Sequence, residues 1–226
     1  FVVNGGIVRR QIIGIPMGTN CAPPLANLFL YYYESLFMTN SPLGHRAKSQ
    51  FHMTFRFIDD VLSVDNPAFR DAISRSCDNG GIYPEYLKLK ETTLNAGLLT
   101  HFLGVNIDAS GDKLIMSVHD KRDDFPFYVI RYPMVSSLIP NNIPYGVFLG
   151  QMWRSYRTCN NWEDFLSFSC IVAERLIQNG CARRRVRMLF TNFVRSNVRK
   201  FRVGYLFLNK QFSRQLALPQ PLSGTD

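Results

Sequence analysis

Near residue 145 the hydrophobic pattern of this chain changes period. Upstream, short runs of β-branched and aromatic residues alternate with clusters of Gly, Pro and Asn; downstream, apolar residues recur at helical spacing. The upstream strands and helices mix without the strict alternation of a βαβ array. The expected fold class is therefore α+β: an antiparallel sheet with packed helices, followed by a mostly helical region.

Upstream, VV, IV and II surround Asn4-Gly5-Gly6, which predicts a β-hairpin over 1–13. GIPMGTNCAPP reads as a tight ordered loop, and Pro23-Pro24 can open a helix because a missing N–H costs nothing in the first turn. Leu25, Leu28, Phe29, Tyr32 and Leu36 then mark the stripe expected to be buried. A polar loop over 39–50 precedes a hairpin at 55–64, and a helix is expected over 66–80, from Asn66-Pro67 to Gly80-Gly81. Strands are expected at Leu87-Lys88-Leu89-Lys90 and over 102–107, and a turn at Ser110-Gly111-Asp112 returns into a strand over 113–118.

Downstream, Asn161 is a candidate N-cap with Glu163 and Asp164 in the first turn. Trp162, Phe165, Leu166, Ser169, Ala173, Leu176 and Ile177 mark one face, and Gly180 suits the C′ position. In the next helix Val186, Leu189, Phe190, Phe193 and Val194 form an apolar stripe. Arg184, Arg195 and Arg199 fall on the opposite face, with Arg185 and Arg187 on its flanks. The residues QLALPQPLSGTD read as a disordered tail.

Charge follows the same division. Residues 1–150 carry 13 Lys+Arg against 13 Asp+Glu, whereas 151–226 carry 13 against 4. A neutral body with a basic appendage fits a polyanion partner, since phosphate contacts draw on Lys and Arg. The longest apolar stretch, 25–33, is interrupted by Asn27 and falls short of the ~20 residues of a membrane-spanning helix, so no membrane association is expected. The five cysteines are widely spaced without a CxxC pair, which argues against a disulfide framework or a zinc site and for reduced, buried thiols. His45, His52, His101 and His119 are scattered and read as structural or exposed.

The stretch FRFIDDVLSV places Asp59 and Asp60 between strand formers, with no Gly, Asn or Pro to build an ordinary polar loop. Asp123-Asp124, beside Lys121 and Arg122, reads instead as a solvated charge cluster. Two carboxylates on a rigid hairpin repel each other, and a divalent cation relieves the repulsion. Mg²⁺ takes such oxygen ligands, and two ions about 4 Å apart suit nucleotidyl transfer. At least one further carboxylate must then come from another segment.

FRFIDD resembles the (F/Y)xDD motif of reverse transcriptases, and GIPMGTNCAPPLANLFL resembles their preceding GxPxG loop and helix. YLKLKET resembles the motif whose lysine lies near departing pyrophosphate, and HFLGVNI resembles the primer-grip hairpin. The order of these four motifs over residues 1–107, with IPYGVFLGQMWRSYRTC downstream, is most similar to retroelement enzymes of the Penelope-like, telomerase-related group.

The resemblance implies a partial palm over 1–130, a helical thumb over 131–212 and a disordered tail over 213–226, with the fingers absent or incomplete. Asp59 and Asp60 would be catalytic Mg²⁺ ligands, Mn²⁺ being a possible substitute, and Phe57 would pack beside the primer end. Gly14, Pro16, Gly18 and Thr19 would shape the nucleotide surface. Lys90 would serve the pyrophosphate, with Lys88 sharing its expected strand face. Phe102, Leu103 and Gly104 would grip the primer, and Arg184, Arg187, Arg195 and Arg199 would line the duplex. The implied partners are an RNA template, a DNA primer and deoxynucleotides, inside the cell and in the nucleus.

The family's first metal-binding aspartate has no counterpart in FVVNGGIVRRQII, so the chain is expected to be part of a longer polypeptide with an incomplete metal set. Two alternatives stay open: a non-catalytic nucleic-acid-binding remnant of a retroelement, and another metal-dependent phosphotransferase built on the same hairpin.

Overall fold

The computed structural model describes residues 2–10, 12–15, 18–40, 43–93, 98–121, 125–126 and 132–217. Every strand pair among them is antiparallel, and strands and helices are mixed, so the α+β class holds. Two compact units divide the chain at Glu91–Thr92, whereas the sequence boundary was expected at 130.

In the first unit β1 (Val2–Asn4) and β2 (Ile7–Arg9) form a short hairpin closed by Gly5-Gly6. Helix α1 (Ala22–Asn40) starts where expected, with both prolines in its first turn and the Ala22 amide donating to the Thr19 carbonyl. Its packed face is another matter. Leu25, Leu28, Phe29, Tyr32 and Leu36 are exposed, and Leu30, Tyr33 and Phe37 meet the core instead. The helix is apolar nearly all round, so periodicity cannot choose a face; Glu34, its sole charged residue, turns the Leu30–Phe37 side inward because its partner lies there.

The expected polar loop contains α2 (His45–Ser49) and a 3-10 turn (Gln50–Met53). Strands β3 (Thr54–Phe57) and β4 (Asp60–Ser63) form the hairpin that carries the aspartates. Helix α3 (Pro67–Ser74) is shorter than expected. Arg75 turns extended, a 3-10 turn (Cys77–Asn79) follows, and the chain folds back so that the Ile82 amide donates to the Ala72 carbonyl. This return buries Ile82 and Tyr83 with Phe37 and Ala72, a gain that a longer helix would forgo.

In the second unit β5 (Leu99–Phe102), β6 (Val105–Asp108) and β7 (Ile115–Val118) form a three-stranded sheet. The segment expected as one strand over 102–107 is thus a hairpin, turning at Leu103-Gly104. The turn after β6 is tied by Asp108, which accepts from the Ser110 amide at 2.9 Å; the bonds from the Ser110 hydroxyl and amide hold its carboxyl below the ordinary range.

Four helices follow: α4 (Ile143–Thr158), α5 (Trp162–Gln178), α6 (Arg183–Asn197) and α7 (Tyr205–Gln215), with a 3-10 turn (Val198–Phe201) before the last. Phe148, Met152, Phe165, Leu176, Val186 and Phe190 are fully buried among them, and both expected apolar stripes of α5 and α6 face this core. Helix α7 extends into the region expected to be tail, because Phe212 and Leu216 are buried in the same core; residues 218–226 lie outside the described residues. Cys159, Cys170 and Cys181 are buried free thiols, as expected, and Cys170 is pushed up to about 12 by burial with Glu174 nearby; Cys77 is half-buried and Cys21 is exposed.

Two helix ends follow the sequence closely. Asn161 caps α5 by accepting from the Asp164 amide at 2.8 Å. At the other end the Gly180 amide donates to Ile177 and the Cys181 amide to Leu176, a Schellman closure with Gly180 at φ +94°. A Cβ at Gly180 would lie 3.3 Å from Val135. Gly180→Ala is expected to cost about 1–2 kcal/mol, mainly the left-handed backbone penalty, read as a lower denaturant midpoint at unchanged slope. An unchanged midpoint would show that the closure relaxes freely.

The loop between α4 and α5 also completes the sheet. Asn160 donates its amide to the Met116 carbonyl at 3.2 Å, accepts from the Met116 amide at 3.0 Å and donates from Nδ2 to the Leu114 carbonyl at 2.5 Å. One residue thus acts as a short strand on the outer edge of β7.

Candidate functional site

The β3–β4 register pairs Phe57 with Asp60 and leaves a two-residue turn, Ile58-Asp59. Ile58 takes φ +53°, a conformation that β-branched residues rarely adopt. Asp59 therefore sits at the turn itself and Asp60 on the first residue of β4. Both are exposed, and among the described residues neither carboxylate has a hydrogen-bond or ion-pair partner. Hard oxygen donors, adjacent and free, suit a divalent cation. Among the described residues no third His, Cys, Asp or Glu completes a metal-binding group, so the pair fits as part of a set.

Alternation gives the hairpin two unlike faces. Phe55, Phe57 and Asp60 are exposed together, so two phenyl side chains and one of the carboxylates share a face. Thr54, Arg56, Val61 and Ser63 are half-buried on the other face. Arg56 is the residue that binds this face to α1. Its Nε donates to Glu34 Oε1 at 2.5 Å and its Nη2 to Glu34 Oε2 at 3.2 Å, a bidentate pair. Its Nη1 donates to Asn27 Oδ1 at 2.7 Å and, more loosely, to the Ile58 carbonyl at 3.5 Å, while Nη2 reaches the Asn27 carbonyl at 3.3 Å. From the core side Tyr83 donates its hydroxyl to Glu34 Oε1 at 2.8 Å. Burial, then the Glu34 charge, pushes the Tyr83 phenol well above its ordinary range, so it stays a neutral donor.

Arg56, Glu34 and Tyr83 escaped the sequence reading. The signal was there: a lone carboxylate on an apolar helix and a lone guanidinium inside a strand both demand a partner.

The helix they hold begins at the other predicted element, the loop over 14–20. Gly14 and Gly18 have φ +87° and +89°, a backbone that glycine alone adopts freely. Nothing lies within 4 Å of a Cβ built on Gly18, so backbone conformation and not crowding requires glycine there. The Thr19 carbonyl accepts the Ala22 amide at 3.1 Å, which joins loop to helix. Pro16 lies outside the described residues, as does the comparison pair Asp123-Asp124.

Lys88 and Lys90 are exposed, but the strand expected to carry them is absent among the described residues: 87–93 is irregular, with a local turn from the Leu87 amide to the Pro84 carbonyl and no partner strand. Their shared strand face is therefore not formed. Glu91 is paired with Arg70 at 2.6 Å, an exposed contact of little energy.

In the second unit Phe102 closes β5, while Leu103 (φ +49°) and Gly104 (φ +78°) make the turn. Arg154 of α4 lies against this turn, its Nη2 donating to the His119 carbonyl at 3.1 Å and approaching the Gly104 carbonyl at 3.5 Å. A Cβ on residue 104 would meet that Nη2 at 2.8 Å. Of the four histidines His101 and His119 come together, stacked with ring centroids 4.4 Å apart.

Arg184, Arg187 and Arg195 are exposed on α6. Arg199 lies beyond its end, in the 3-10 turn, because the helix stops at Asn197. Among the described residues none of the four has a carboxylate partner; Arg187 donates to the Ser213 hydroxyl at 2.8 Å. Among the described residues the charge of this basic face is thus not paired.

No family model, curated protein or solved structure matches this chain.

Proposed function

We propose that the chain is part of the palm and the thumb of an RNA-directed DNA polymerase, of the retroelement kind its motifs resemble. The observation that carries this is a pair of carboxylates, unpartnered among the described residues, on a strained hairpin that Arg56 locks to the helix after the Gly14–Thr19 loop. In this reading Asp59 and Asp60 hold two Mg²⁺ ions together with a carboxylate from another segment. Bound there, the ions supply Lewis acidity at the primer 3′-hydroxyl and the departing pyrophosphate. Phe57 abuts the primer end, the glycines of the loop let the backbone approach the incoming nucleotide, and Lys90 lies toward the pyrophosphate. The Leu103-Gly104 turn and the α6 arginines hold the primer and the RNA/DNA duplex without regard to sequence.

The reading is tested by extension of a DNA primer on an RNA template with Mg²⁺, using the intact polypeptide. Extension that Asp59→Ala and Asp60→Ala both abolish supports it; wild-type binding without extension favours the alternative, a non-catalytic nucleic-acid-binding remnant. The uncompensated arginine face favours binding under either outcome. Arg184→Gln with Arg195→Gln is expected to flatten the log K against log salt plot by roughly 0.9 per lost phosphate contact. An unchanged slope would remove this face from the interface.

A further inference from the structure

We infer that Arg56, held by Glu34 and Tyr83, is a positioning residue that sets the direction of the Asp59 carboxylate; the inference rests on the metal-site reading above. A guanidinium has five N–H donors, and Arg56 makes five contacts: two to the Glu34 carboxylate, two to Asn27 and one to the Ile58 carbonyl. No donor is idle. The Ile58 carbonyl belongs to the peptide that leads into Asp59, so Arg56 touches the turn at the bond whose rotation would swing that carboxylate. This is also the peptide that follows the strained φ +53° of Ile58. Strain of that kind persists only where surroundings over-determine the backbone, and the Arg56 guanidinium, though it belongs to β3, ties the turn to Glu34 and Asn27 of α1, outside the hairpin.

The other end of the clamp is equally determined. The Arg56 side chain is 13% exposed and that of Glu34 29%. Tyr83, 7% exposed in the core of the unit, aims its hydroxyl at the Oε1 that Arg56 Nε also uses. Asn27 lies two turns before Glu34 on the same helix, so the guanidinium is bracketed along α1 and cannot slide. Lysine at 56 would offer three donors from one point and could not span Glu34, Asn27 and the turn together. The consequence is a fixed relation between the carboxylate hairpin and the helix that starts at Thr19.

The test uses amide exchange of this chain and Mn²⁺ titration of the intact polypeptide, both followed by NMR, on wild type, Arg56→Lys and Tyr83→Phe. Tyr83→Phe keeps the buried ring and removes one hydroxyl, so it reports on the clamp even if Arg56→Lys loosens the whole unit. Expected are faster Ile58 and Asp59 amide exchange in both variants, by about tenfold for Arg56→Lys. Paramagnetic broadening at Asp59 and Asp60 is expected to need about tenfold more Mn²⁺ in Arg56→Lys. Signals of the helical unit stay unchanged. Faster exchange at the turn in both variants, without broadening at Asp59 and Asp60 in wild type, supports the clamp and sinks the metal site. Wild-type exchange and wild-type Mn²⁺ dependence in both variants overturn the clamp.

Discussion

Asp59→Ala in the intact polypeptide is expected to reduce primer extension to background, a loss of at least about 10³-fold, since removing a ligand to a metal that carries the transition-state charge forfeits several kcal/mol. Binding of an RNA/DNA duplex is expected to change by less than about twofold, because Asp59 is exposed and makes no contact with the described residues whose loss would disturb the fold. The contrast between the two measurements carries the test. A general collapse would lower both together, and a scaffold role would spare extension. Retention of more than trace extension, with binding intact, would remove Asp59 from the chemistry and the polymerase reading with it. Asp60→Ala is expected to follow the same pattern, as the carboxylates act on a shared pair of ions.

Phe190→Ala is expected to lower the stability of the helical unit by about 3–5 kcal/mol, a large part of the 5–15 kcal/mol that a domain commonly has. Phe190 is fully buried, and its ring lies parallel to that of Phe212 at 3.7 Å while Phe165 stacks on it at 6.1 Å. Truncation empties the centre of a cluster to which α5, α6 and α7 each contribute a ring, and helix backbones cannot close in to fill it without unseating one another. Urea unfolding followed by circular dichroism reads this as an earlier transition of the helical signal. A loss below about 1 kcal/mol would mean that Phe212 repacks into the space. Leu189→Ala, at the half-buried border of the same face, is expected to cost clearly less.

The helical unit was legible because its signals agree. In α6 the apolar residues occupy one stripe and arginines the other, so a single choice of face is possible, and Asn161 and Gly180 mark the ends of α5 by chemistry that needs no tertiary contact. Helix α1 shows the opposite case. With leucines and aromatics on every side, its pattern supports two stripes equally, and the choice fell to the long-range pair between Glu34 and Arg56. The strand expected at Leu87-Lys88-Leu89-Lys90 failed for a related reason: alternation in LKLK predicts a strand only if another strand is available to pair with it. The carboxylate hairpin was found from its composition, yet what holds it was not, because the clamp joins residues 22 and 49 positions apart in the chain.

Arg154 and Asn160 stand near the end of α4 and just beyond it. Arg154 bonds the carbonyls beside the Leu103-Gly104 turn, and Asn160 bonds the edge of β7 at Leu114 and Met116. Two anchorage points leave the sheet only the line that joins them as an axis, and Val118 of β7, packed against the helical core, opposes rotation about that line. The three-stranded sheet and the helical bundle are thus pinned to each other through α4, which ties the tip of the Leu103-Gly104 hairpin to the same core that carries the arginine face of α6.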